Sequence, residues 1–245
     1  MAVTNRLPKR ELSGEHLDRI PPGLWPARSS LEGRYVRLEP IDPRKHAEEL
    51  WAASHTGRDD DRIWDYLAYG PFPDPESFES WLRDCAAVAD PTFYAACDGR
   101  TAACAGMASF LNTRPKHGVI EIGHIWFGLQ LQNTRASTEA LYLMMRNAFD
   151  DLGYRRLEWK CDARNQPSRD AAIRLGFAYE GTFYRHLIVK GCNRDTAWFS
   201  ILESEWPALR ANFESWLSPD NFEADGRQLR SLGELNRELR GAPRE

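Results

Sequence analysis

Residues 120–127 of this 245-residue chain form a short strand pattern, and the polar run Gln132, Asn133, Thr134, Arg135, Ala136, Ser137 follows almost at once. Ser137 and Thr138 are good N-cap types. Behind them Leu141, Met144, Met145, Ala148, Phe149 and Leu152 repeat at helical spacing. A strand that feeds a loop and then opens a helix is a general device for holding a phosphate. The first helical turn leaves backbone N–H groups unpaired, and its dipole end is positive. Groups able to move protons accompany this unit: Glu121 and His124 on the strand, with Ser168 and His186 further along.

The surrounding elements must place these groups. Residues 1–30 are polar and read as an N-terminal arm that lies on the domain through Leu24 and Trp25. Residues 34–39 alternate as a first strand, and Asp42-Pro43 starts a helix through His46, Leu50 and Trp51. A second helical pattern covers 76–88. A hairpin turns at Asp98-Gly99, residues 156–161 alternate as the next strand, and residues 168–175 form a short helix that stops at Gly176. A hairpin around Gly191 is followed by a helix over 207–217, then a polar tail in which 234–240 is a frayed helix. This order predicts one α+β domain with a mixed, mostly antiparallel sheet and helices on both faces. Its bounds are 31–205, with 206–245 as a C-terminal helix and tail.

A net charge of −4 argues against nucleic acid as a partner. No apolar run approaches the roughly 20 residues of a membrane helix, and no secretory leader is visible, so a cytoplasmic protein without a membrane partner is expected. The five cysteines include no CxxC, and no His/Cys group has zinc spacing. Cys97 and Cys104 flank a hairpin turn, yet reduced thiols and no metal are the expectation in that compartment. An exposed strand near the C-terminal hairpin is a candidate homodimer edge.

Four blocks taken together resemble the GCN5-related N-acetyltransferases (GNAT), and within them the ribosomal-protein-alanine acetyltransferase-like branch. They are Leu31-Glu-Gly-Arg-Tyr-Val-Arg-Leu-Glu-Pro40; Glu121-Ile-Gly with Thr138-Glu-Ala-Leu141; Asn165-Gln-Pro-Ser168 with Leu175-Gly-Phe177; and Glu180-Gly-Thr182 with Arg194-Asp195. The resemblance covers about residues 31–205 and implies acetyl-CoA as donor and an amine as acceptor, either a protein N-terminus or a small molecule. It implies direct transfer without an acyl-enzyme. It also implies a splayed parallel strand pair, with the pantetheine arm along Ile125, Trp126 and Phe127, the pyrophosphate on the 132–137 loop, and Asn165 in contact with CoA.

A carboxylate or histidine near that strand gap suits the removal of a proton from the amine. Glu121 is the first candidate for the base that frees the amine, His124 the second and His186 the third. Strand alternation would put Glu121 on one face with Gly123, Ile125 and Phe127. Ser168 is the candidate donor to the leaving sulfur, and its alternative role is a helix N-cap. Trp64, Tyr66 and Tyr69, from the variable helices, would line the acceptor side. Three positions depart from the family: Arg135 stands where a glycine is usual, Ala172 where many members carry a tyrosine, and Leu187 where the branch has a glutamate. These departures keep open a non-catalytic acyl-CoA-binding or protein-interaction module.

Overall fold

The structure, a computed structural model, describes residues 7, 9–17, 23–57 and 59–240. Eight strands form one sheet in the order β1-β2-β3-β4-β5-β6-β8-β7. The strands are β1 (Leu31–Glu32), β2 (Val36–Pro40), β3 (Thr92–Asp98), β4 (Cys104–Arg114), β5 (Val119–Phe127), β6 (Arg156–Asp162), β7 (Ala178–Val189) and β8 (Cys192–Leu202). Every neighbouring pair is antiparallel except β5 and β6. The predicted α+β class and mixed sheet are therefore observed.

Among the described residues six α-helices cover the sheet: α1 (Pro43–Ser54), α2 (Pro75–Ala87), α3 (Arg135–Arg146), α4 (Gln166–Arg174), α5 (Trp206–Leu217) and α6 (Leu232–Leu239). Two hydrophobic cores lie on opposite faces. The larger holds apolar side chains of α3, α5 and α6, and the smaller those of α1 and α2. Ten consecutive residues of α3, Ala136 to Met145, are buried, so this helix is enclosed on all sides. None of the helices among the described residues is long and apolar enough to cross a membrane.

Glu139, on α3, holds the β1–β2 turn. Its carboxylate accepts the backbone N–H groups of Arg34 (2.9 Å), Tyr35 (2.5 Å) and Val36 (2.9 Å). Gly33 makes this approach possible, because a Cβ there would stand 2.5 Å from the Glu139 Oε2. The tail is not frayed. Ser231 and Glu234 form a capping box at the start of α6, and Leu232, Leu235 and Leu239 bury against the larger core.

The described part of the arm is tied down by the Arg10 side chain, which donates to Glu180, Ser200 and Glu205, and by its backbone. Leu7 N–H donates to Leu239, Leu24 N–H to Leu152, and Tyr154 Oη–H to the Leu24 carbonyl. The side chains of Leu24 and Trp25, expected to be its contacts, are both 57% exposed. Residues 1–6, 8 and 18–22 of the arm lie outside the described residues.

Two cysteines differ from expectation. Cys97 and Cys104 are directly opposed across β3 and β4 and are joined in a disulfide, while Cys85, Cys161 and Cys192 are free. The same hairpin brings both sulfurs close to His46. The sulfurs are consumed by their bond, and the two His46 ring nitrogens already meet the Asp42 N–H and the Glu39 carboxylate, which leaves no ready metal donor set.

Candidate active site

β5 and β6 pair over only three residues: Val119 with Arg156, Ile120 with Leu157, and Glu121 with Glu158. Beyond that point the strands part. Along residues 122–127 the backbone groups of β5 that face β6 have no strand partner, and such groups demand another one. A β-bulge accompanies the parting. Ser109 pairs with Gly123 and Met107 with Trp126, so Ala108 alone opposes His124 and Ile125. His124 takes φ +51°, a left-handed conformation rare for a non-glycine residue.

The bulge inverts the side-chain alternation. Ile120 and Ile122 face the larger core, and beyond the bulge Ile125 and Phe127 do so as well. Trp126 faces the smaller core. Glu121 and Gly123 therefore do not share a face with Ile125 and Phe127, contrary to simple alternation.

The loop after β5 is locked from within. Gln132 Nε2 donates to the Phe127 carbonyl at 2.8 Å, and Asn133 turns the chain at φ +58°. Thr134 is the N-cap of α3, accepting the Ser137 N–H at 3.2 Å. The helix thus begins three residues before the expected Ser137 and Thr138 caps. The N–H groups of Arg135 and Ala136 are first-turn donors without intrahelical acceptors.

Arg135 itself lies back over the Phe222 ring, 3.8 Å from its centroid, and Nη1 reaches the Tyr35 hydroxyl at 3.4 Å. Arg34, Tyr35, Asp98, Arg100, Thr134, Arg135 and Ala136 surround a cavity of about 350 Å³. The Asp98 carboxylate is occupied by the amides of Arg100 and Thr101, so the cavity presents three arginines.

Glu121 sits at the last paired step and is buried. It accepts from Asn112 Nδ2 and Lys160 Nζ, each at 2.7 Å. Lys160 also meets Glu158 at 3.0 Å, and Glu158 in turn holds Arg114 and Arg156. Burial pushes the Glu158 carboxyl up, but the Arg156 and Lys160 contacts outweigh it and hold the group below its ordinary value. Arg156 continues to Glu180, whose carboxyl that contact holds down at about 2.

His124 stands past the parting. Its Nδ1 is 3.2 Å from the Tyr69 hydroxyl, and its ring stacks on Tyr69 and tilts against Phe93. Burial, and then the charge of Arg194, depress the imidazole to about 4, so it is neutral at physiological pH. Burial also raises the Tyr69 phenol, which stays protonated.

His186 reaches the same side of the sheet through a wide bulge. Phe183 pairs with Thr196 and Leu187 with Arg194, so Tyr184, Arg185 and His186 oppose Asp195 alone. His186 Nδ1 then meets Thr196 Oγ1 at 3.0 Å, and its ring lies near Trp198, over which Lys160 is stacked.

The remaining expected residues divide. Asn165 is the N-cap of α4, accepting the Ser168 N–H at 3.1 Å, so Ser168 is not the cap. The Ser168 hydroxyl accepts from Trp159 Nε1 at 3.1 Å and contacts the Cys161 thiol. Trp64 is fully buried in the smaller core, so its indole is not available to a substrate. Tyr66 and the Trp64 carbonyl instead tie this segment across the opening. The Tyr66 hydroxyl donates to Arg164 at 3.3 Å, and Lys190 Nζ donates to the Trp64 carbonyl at 2.8 Å. Only Tyr69 meets a candidate base directly. Arg194, quoted above in a sequence block without a role, is the residue that sequence reasoning passed over.

The model of the Acetyltransferase (GNAT) domain matches residues 36–178, more than half of the chain. The chain belongs to the GNAT acetyltransferase family. A GCN5-related N-acetyltransferase from Brucella melitensis is 45% identical with a TM-score of 0.87, over 90% of this chain and 99% of that one. A GNAT-family probable acetyltransferase from Chromobacterium violaceum is 38% identical with a TM-score of 0.74, over 82% and 99%. The Bacillus subtilis protein named "Putative ribosomal N-acetyltransferase YdaF" is 30% identical over 101 residues, 41% of this chain. The matched stretch spans only about half of that protein, 55% of its length.

Proposed function

We propose that this GNAT protein transfers the acetyl group of acetyl-CoA directly to a primary amine. The observation that carries this reading is the parting of β5 and β6 immediately after Glu121 and Glu158, with a neutral histidine at the bulge. The unpaired β5 backbone suits the amides of a pantetheine arm. The first turn of α3 and the arginine-lined cavity beside it suit phosphates.

In this reading the amine nitrogen attacks the thioester carbon, the C–N bond forms and the C–S bond breaks. His124, directly or through water, takes the proton that the amine must lose, and Tyr69 orients its ring. Ser168 is the donor for the departing sulfur. Glu121, expected as the first candidate base, is engaged through Oε2 by both Lys160 and Asn112. Its role is to fix the last paired step. His186 is a hydrogen-bonded neighbour of Thr196 on the rim of the opening.

For the acceptor, the name of the Bacillus subtilis relative favours a protein N-terminus, and a small-molecule amine is the other class. A cytoplasmic location is part of the same proposal. Calorimetry with acetyl-CoA, then an acetylation assay on peptides and small amines, tests the proposal. Turnover that His124→Ala abolishes supports it. Tight acetyl-CoA binding without turnover on any amine would instead favour the non-catalytic acyl-CoA-binding reading.

A further inference from the structure

Charge compensation is complete around Glu121 and incomplete around Arg194. Arg194 lies on β8 two residues before Thr196, where the β6–β8 ladder ends, so strand alternation sets it on the same face as Thr196 and Trp198. Its Nε is buried without a hydrogen-bond partner, and no ion pair engages its guanidinium among the described residues. Trp198 Nε1, further along that face, is also an unpartnered buried donor.

The candidate counter-ions nearby are already in use. Both Asp162 oxygens are taken by Arg164, and Asp195 Oδ1 accepts the Arg185 N–H. Arg194 is close enough to His124, Cys161 and Asp162 for its charge to act on all three. It therefore stands by the opening, near His124 and the end of β6.

A partly buried cation without a counter-ion is costly, and an anionic ligand removes that cost. Phosphate of the donor is poorly placed to be that ligand. The phosphate-suited cavity belongs to the β1–β2 turn, the β3–β4 turn and the start of α3, whereas Arg194 is on β8, across the parting.

We infer that Arg194 binds a carboxylate of the acceptor, so the enzyme prefers amines that carry an acidic group close to the reacting nitrogen. This deepens the acetyl-transfer reading and rests on it. The carboxylate comes either from a side chain near a peptide N-terminus or from the α-carboxylate of a free amino acid. The bound anion would also offset the Arg194 charge on His124 and make the imidazole a better base at the moment the acceptor is seated.

Two measurements on the full chain test this. In the first, His124 is titrated by NMR, with His124→Gln used for assignment and propionate as the probe. Saturating propionate should raise the His124 midpoint in the wild type and leave it unmoved in Arg194→Gln. No shift in the wild type, or the same shift in the variant, overturns the anion site.

In the second, kcat/KM is compared for amidated Ser-Glu-Ala against Ser-Gln-Ala, and for serine against serinamide. The acidic member of one pair should be favoured by about tenfold or more. Arg194→Gln should erase that preference while Arg194→Lys keeps part of it, with the acetyl-CoA KM unchanged. The favoured pair identifies the source of the carboxylate. Equal rates within both pairs, or a variant that raises only the acetyl-CoA KM, overturns the inference. Should no amine be acetylated, the proposed function fails and the propionate titration alone decides the anion site.

Discussion

Strand β5 has two halves that solve opposite problems. At its start it is laddered to β6, and the charges there are matched: Glu121 and Glu158 share Lys160, and Glu158 also holds Arg114 and Arg156. Past the bulge the ladder is gone. His124 is neutral, and the Arg194 Nε is buried without a hydrogen-bond partner. The first half spends its polar groups on one another and becomes rigid. The second leaves backbone and side-chain groups unsatisfied, and such groups can be satisfied by a substrate. On the proposed reading the imidazole three residues later, not the carboxylate of the first half, is the base.

Substitutions in the two halves should separate on this basis. The largest effect is expected at the open half. His124→Ala should lower kcat by roughly 10²–10⁴-fold in steady-state assays at saturating acetyl-CoA, the range for loss of a positioned acid–base group. A loss under fivefold would move the base elsewhere. On the closed half, Glu121→Ala leaves Lys160 with one carboxylate fewer. It should cost about 3 kcal/mol in urea unfolding, with kcat reduced far less than by His124→Ala. The reverse pattern, stability kept and turnover lost, would restore Glu121 as the base.

Acid should also distinguish the halves. The folded His124 value of about 4 lies below its ordinary value of 6.5, so the unfolded chain binds the extra proton first. The stability this group contributes is complete above pH 6.5 and is lost as pH falls toward 4. Glu180, held at about 2 against 4.5, loses its contribution lower, between pH 4.5 and 2. Denaturation followed across pH should therefore show two windows, with His124→Gln flattening the upper and Glu180→Gln the lower. The smallest effect is expected outside both halves. Arg135→Ala removes the stacking on Phe222 and should cost about 1 kcal/mol, with acetyl-CoA affinity changed only a few-fold, because the helix amides remain.

Most of the fold was legible because its signals are periodic. Alternating strands and the apolar stripe of α3 identify the strand–loop–helix unit and the mixed sheet. The misses have physical causes. The bulge at His124 has no local signature, since positive φ is usually marked by glycine or asparagine. Without it, alternation assigns the faces of β5 wrongly. Thr134 and Ser137 are both good caps, and loop geometry, not residue type, selects the first. The α6 capping box, Ser231 with Glu234, was readable, but a highly charged tail masked it. The disulfide was foreshadowed by two cysteines about a hairpin and set aside on redox grounds. Arg194 could have been noticed only as a cation, because its unpartnered Nε is a property of the folded surroundings.

The peg formed by Glu139 and Gly33 bears on how this family's sequences change. One carboxylate collects three amides, and it can do so only because position 33 has no side chain. Two blocks that look like separate words, 106 positions apart by their numbers, are therefore one structural unit. Relatives should keep both or lose both, and a chain that has only the glycine should have rebuilt the β1–β2 turn.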